Sequence, residues 1–424
     1  MNVFFIIILV ALVAEYLLGL VANLLNLKAL GREPPSELAG VYEPEECRKS
    51  QDYSRATTRF GFVAETLGLG LLIAFWFAGG FDYLDEVVRE WGLHSISTGI
   101  LYIGILVIGH TLLTLPLSVY STFVVEERFG FNKTTPRTFV VDRVKGLVLA
   151  VVLGAPLLAV ILAIFENAGS LAWLYCWTAV TLFSLGVMFV APTWIMPLFN
   201  KFTPMGAGEL REAIFEYARS VDFTFNNIFV IDGSKRSSKA NAFFTGFGRN
   251  KRIALFDTLV EKHTVSELVA VLAHEIGHYK KKHILQRAVV SIVNTGVVFY
   301  LLSIFLESES LFDAFFMDEM SVYAGLLFFG LVYTPINLVL SIAMNFMSRK
   351  HERQCDIYAA ETIEDPGVMV DALKRLSADN LSNLTPHPML VFLEYDHPPL
   401  LQRVQSVRRV QQARDQARLS PAQR

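Results

Sequence analysis

The chain has 424 residues, 53% of them hydrophobic and 18% charged, with a formal net charge of -3. Soluble globular proteins average about a quarter charged residues, so an ordinary water-soluble fold is excluded, and the near-neutral balance carries no nucleic-acid signature. Three cysteines, Cys47, Cys176 and Cys355, are too scattered for a disulfide framework or a cysteine-based zinc pattern.

The apolar residues gather in seven blocks: 3–27, 60–80, 97–123, 144–165, 170–198, 284–306 and 321–346. Each is long enough to cross a bilayer, which takes about 20 residues of helix, so the sequence predicts seven transmembrane helices in an integral membrane protein. The first block lacks a basic leader and has Lys28 and Arg32 on its far side, which predicts a retained span. Lys and Arg number six in 28–59, four in 124–143, thirteen in 199–283 and eleven in 347–424. The alternate connections hold only Arg89 in 81–96 and none in 166–169 or 307–320. Basic loops stay cytoplasmic. The N-terminus is therefore expected outside or in a lumen, and the four basic segments in the cytoplasm. Within the spans lie Glu15, Glu65, His110, Arg287 and Asn294, groups that at membrane depth face one another, the interface or a wet interior.

The basic segment 199–283 changes character. Residues 227–232 and 252–256 are β-branched and aromatic, and aromatics in 241–247 are broken by Gly246 and Gly248, which predicts a few strands. An open strand edge there could pair with an extended peptide. Asn241 can donate to and accept from such a backbone, and equally well serves as a turn residue. Next, Thr264-Val265-Ser266-Glu267 has capping-box spacing and opens a helix through His274-Glu275-Ile276-Gly277-His278. Residues four apart share a helix face, so both histidines can aim at one metal while Glu275 stands one step round as a general base. The sequence predicts this helix running on through Lys280, Lys281, Lys282 and His283 into the sixth span.

A zinc peptidase needs a third protein ligand. The seventh span returns antiparallel and delivers 348–356, Ser-Arg-Lys-His-Glu-Arg-Gln-Cys-Asp, to the same membrane face. Glu352 is the expected ligand, with Asp356 one turn later supporting a ligating imidazole; His351 and Asp356 compete by chemistry alone. In the tail, His397-Pro398-Pro399 is a turn that fixes an imidazole. The Arg/Gln-rich end from about Gln402 is expected to be a surface helix.

With these motifs assembled, the chain resembles the type I CaaX prenyl endopeptidases, membrane zinc metalloproteases of seven spans. The resemblance covers nearly the whole chain and is densest at 241–261, 274–283, 348–356 and 397–404. It implies Zn2+ held by His274, His278 and Glu352, with Glu275 as base and Asp356 supporting a ligand. It further implies that Asn241 holds the substrate backbone, His397 stabilises the tetrahedral intermediate and Arg403 supports the site. His351 stands where an aromatic residue is common and Cys355 where a small one is usual; neither departure falls on an implied ligand.

The implied fold is an all-α polytopic membrane protein. Seven helices enclose a water-filled chamber, with a small α+β cytoplasmic zinc-protease region. Residues 1–198 would hold spans one to five, 199–283 the catalytic segment, 284–347 spans six and seven, and 348–424 the tail. The implied substrate is a peptide or protein, including one prenylated at a C-terminal cysteine. The setting is the plasma membrane in a bacterium or the endoplasmic reticulum in a eukaryote. Other classes fit less well: a membrane quality-control protease without prenyl specificity, and a seven-span transporter or receptor with a structural metal.

Overall fold

The computed structural model describes residues 2–225, 227–245 and 252–419. Among these, six helices are long and apolar enough to cross a membrane: Val3–Ala29, Pro44–Phe77, Ser95–Glu126, Pro136–Asn167, Gly169–Phe199 and His283–Phe305. A further pair, Val322–Val332 and Thr334–Thr362, follows one path with a 54° bend. Pro335 explains the bend: it has no N–H to donate and its ring crowds the carbonyl four residues back. Large apolar side chains such as Val151, Val152, Leu182 and Phe189 are exposed on these helices, as lipid-facing surfaces require.

The helices overrun the predicted blocks wherever polar residues continue a helix beyond the bilayer. The second begins at Pro44, where Glu43 and Glu46 form a capping box and proline occupies the first helical turn. The last extends to Thr362, well past the apolar residues. It thus joins the membrane part of the molecule to the part outside it.

Outside the spans lies a four-stranded sheet: β1 (Phe202–Pro204), β2 (Asn227–Ile231), β3 (Ala242–Thr245) and β4 (Arg252–Phe256). The order is β1-β2-β4-β3, with β2 and β4 parallel and the outer pairs antiparallel. Three strands match the β-branched and aromatic segments read from sequence. β1 does not, because a three-residue strand ending in proline has too little pattern to register. The aromatics at Phe247 and beyond fall outside the described residues. β3 is an edge strand packed against helix Val265–Lys280.

That helix is the hub. It packs against Thr334–Thr362, Glu209–Ser220 and Pro366–Asp379, burying Leu268, Leu272 and Ile276 in one core with Ile253, Ala359, Leu373, Val404 and Val407. Full burial of each such aliphatic side chain is worth about 1.5–3 kcal/mol. One expectation is corrected: the helix does not run into the sixth span. It ends at Lys280, Lys282 takes a left-handed conformation with φ of 58°, and a new helix starts at His283.

Candidate metal centre

The metal-centre helix starts with the capping box its sequence announces. Thr264 Oγ1 accepts from the Glu267 amide at 3.3 Å, and Glu267 accepts from the Thr264 amide at 2.8 Å. Two turns on, His274 and His278 share one face, their ring centroids 5.1 Å apart. Gly277 lies between them against Thr334–Thr362: a β-carbon there would come within 3.2 Å of the Cys355 backbone. The absent side chain lets the two helices close.

That approach brings Glu352 to the histidines. His274 Nε2 lies 3.2 Å from its Oε2, and His278 Nε2 lies 3.3 Å from its Oε1. Oε2 is buried yet has no hydrogen bond of acceptable geometry. A buried carboxylate oxygen without a donor is costly unless a cation neutralises it. The two imidazole nitrogens and this carboxylate therefore fit one divalent metal.

Asp356, fully buried, takes the other nitrogen of His274: Nδ1 lies 2.9 Å from Oδ1. Arg403, from helix Leu400–Leu419, donates to both Asp356 oxygens at 2.8 and 2.6 Å. With Nδ1–H directed at Asp356, Nε2 of His274 faces Glu352: protonated it points at the carboxylate, and without its proton it offers a lone pair beside it. Burial disfavours a charged imidazole, but the neighbouring Asp356 and Glu352 carboxylates outweigh it and lift the His274 pKa to about 9. The pocket favours positive charge. Burial also raises the Glu275 pKa, partly offset by the two histidines.

The remaining residues singled out by sequence are placed unevenly. His397 is half-exposed, with Nε2 3.5 Å from Glu352 Oε2. Its Nδ1 lies 2.8 Å from Asp396, which raises the His397 pKa against the effect of burial. Asp396 escaped notice in the sequence, although an acid immediately before a His-Pro turn is a usable signal. Asn241 sits at the head of β3, where its carbonyl accepts from the Phe256 amide and its side chain accepts from the Ala242 amide. The structure does not bring it into hydrogen-bond contact with the histidines. His351 is directed elsewhere: it stacks on His283 with centroids 3.9 Å apart, and its Nε2 faces Gln286 Oε1 at 2.9 Å. Asp356, the other competing ligand, is engaged through both oxygens as described.

The other departure from the family pattern comes closer to the metal centre than its position suggests. The Cys355 sulfur lies within 4.8 Å of a ring nitrogen of both histidines. It also lies 3.5 Å from His283 Nδ1, which touches His278 Nδ1 at 3.2 Å. Glu352, by contrast, meets both rings at Nε2. Sequence gave no sign of His283, because its contact with His278 depends on the helix break.

Residues 23–201 match the family described as CAAX prenyl protease N-terminal, five membrane helices, and residues 204–411 match peptidase family M48. A CAAX prenyl protease 1 homolog of Arabidopsis thaliana is 36% identical, the match spanning 88% of this chain and 90% of that one. The CAAX prenyl protease 1 of Saccharomyces cerevisiae is 35% identical, covering 87% of each. The human homolog is 31% identical, covering 89% of each. The crystal structure of S. mikatae Ste24p superposes with a TM-score of 0.91 at 33% identity, over 96% of this chain and 99% of that one. These matches and the apolar helices make the chain an integral membrane metalloendopeptidase, and it belongs to the type I CaaX prenyl protease branch of peptidase family M48.

Proposed function

We propose that the chain is a zinc endopeptidase in which His274, His278 and Glu352 hold the metal and Glu275 is the general base. One observation carries this: both histidines present Nε2 to the two oxygens of a single glutamate, while Asp356 occupies the other nitrogen of His274. Cys355 is set aside as a ligand. An imidazole binds through the nitrogen without its proton, and the sulfur lies beside the contact at His278 Nδ1.

Zinc, when bound, supplies a Lewis acid that polarises the scissile carbonyl and makes water acidic enough to attack near neutral pH. Glu275 takes the attacking water's proton and passes it to the leaving amine. Its raised pKa suits both steps, since a stronger base accepts a proton more readily and a weaker acid still protonates an amine. Asp356 fixes the tautomer of His274, and Arg403 fixes Asp356. His397, oriented by Asp396, donates to the developing oxyanion. The substrate adds to the open edge of β3 with Asn241 at its head, so the main chain is held in extended form.

The names of the relatives support removal of the three residues that follow a prenylated cysteine. Edge pairing reads backbone and not lipid, which favours a second reading: trimming of membrane-associated peptides without prenyl specificity. The basic-loop bias supports a cytoplasmic active site and an N-terminus on the opposite side. The polar groups within the spans, Glu15, Glu65, His110, Arg287 and Asn294, support an arrangement of the helices around a wet chamber. Glu275→Gln tests the mechanism in purified protein. Zinc stoichiometry is expected to stay at the wild-type level while peptide cleavage disappears; cleavage retained within tenfold would rule Glu275 out as the base.

A further inference from the structure

The two histidines of the metal helix are treated alike at Nε2, and each has a partner at Nδ1. For His274 that partner is Asp356. For His278 it is His283, whose Nδ1 lies 3.2 Å away with the rings at 77°. His283 is 1% exposed, and its second nitrogen, Nε2, lies 2.8 Å from Gln354 Oε1. Gln354 belongs to the helix that also carries Glu352, Cys355 and Asp356.

With His278 on the metal through Nε2, one proton arrangement satisfies this line. The Cys355 thiol, 3.5 Å from His283 Nδ1, can then only donate to that atom. An imidazole that binds a metal through Nε2 carries its proton on Nδ1, so His278 donates from that atom. Only one proton fits between two facing nitrogens, so His283 Nδ1 is bare and accepts. The neutral His283 then has its proton on Nε2, where it needs an acceptor, and the carbonyl oxygen of Gln354 is there. The ring is also held in plane. His351 stacks on it at 3.9 Å with an interplanar angle of 9°, and Gln286 holds His351 from the far side at 2.9 Å.

The contact depends on the break after Lys280. In an uninterrupted helix, residues five apart point about 140° away from each other. The left-handed turn at Lys282 folds His283 back onto His278. A non-glycine residue at positive φ is uncommon, and here it produces the approach of the two rings.

We propose that His283 is a positioning residue for the metal, fixing the tautomer and ring plane of His278, with Gln354 fixing His283 in turn. The inference rests on the reading above that His278 binds the metal through Nε2. Its test is zinc affinity, measured by competition with a chromogenic chelator on the purified, detergent-solubilised full chain. Thermal unfolding of the metal-free protein serves as the control for fold. His283→Phe keeps an aromatic ring against His351 but removes the acceptor. Gln354→Leu removes the acceptor for His283 and lets it turn to the tautomer whose Nδ1–H opposes that of His278. Each is expected to weaken zinc binding roughly 10–100-fold, with the metal-free midpoint moving by no more than about 3 °C. Gln354→Glu keeps an acceptor at the same place and is expected to bind within about threefold of wild type. Wild-type affinity in His283→Phe and Gln354→Leu would overturn the proposal. So would equal losses in Gln354→Leu and Gln354→Glu, which would mark the position as merely structural. His278→Ala separates the two readings: wild-type affinity there would remove the ligand assignment itself, whatever the His283 variants do.

Discussion

At the residue scale, what distinguishes the centre is that one cation can occupy it in more than one form. His274 has a pKa near 9, because Asp356 and Glu352 together outweigh the penalty of burial. At neutral pH the metal-free imidazole therefore holds a proton that zinc, bound as proposed, would have to displace. The sign follows: below pH 9 protons compete with zinc, and affinity rises with pH until His274 is neutral. One displaced proton corresponds to about tenfold per pH unit. Zinc affinity measured at pH 6.5, 7.5 and 8.5 is expected to climb at close to that rate. A flat profile would mean that His274 is not the group displaced. The residues that chemistry needs at fixed local spacing, His274, Glu275 and His278, were legible from the sequence, as was the reach to Glu352 through the antiparallel spans. Asp396 and His283 were not. The role of Asp396 depends on the turn that follows it, and that of His283 on a left-handed residue which no glycine or asparagine announces.

At the scale of elements, the metal centre is a contact between two helices, and its fit is set where they come closest. Gly277 is that point. Gly277→Ala would gain helix propensity, yet the added carbon would press on the Cys355 backbone at 3.2 Å. Neither helix can rotate freely, since both are packed into the same core. Overpacking of this kind costs about 1–3 kcal/mol. The expected outcome is a lower melting temperature for the metal-free protein together with weaker zinc binding; a neutral or stabilising effect would show that the helices have slack. The helix start at Thr264 was readable because its cap is local; the one behind Glu43 was not, since its apolar block begins only at residue 60. Helix ends were less readable. Lys280-Lys281-Lys282-His283 reads as good helix throughout, and tertiary contacts to Thr334–Thr362 decide where it stops.

At the scale of the whole molecule, seven apolar blocks were visible because bilayer thickness imposes a length that composition cannot disguise. Their limits were not, because helices such as Pro44–Phe77 and Thr334–Thr362 continue into water on polar residues. Substrate choice also belongs to this scale: in the proposed reading a prenyl chain would meet the apolar helices while its peptide lay on β3. If those helices receive the lipid, a farnesylated peptide should be cleaved with kcat/KM at least tenfold above its unmodified twin, mostly through KM. Equal rates would favour the reading without prenyl specificity. The link between Arg403 and Asp356 has a consequence for how the protein is made. The histidines, the glutamate and aspartate, and the arginine leave the ribosome in that order, the arginine after every apolar block. A growing chain whose apolar helices have all been made therefore still lacks the cation that holds Asp356 in place. The contact between Arg403 and Asp356 thus forms only after the membrane part is made.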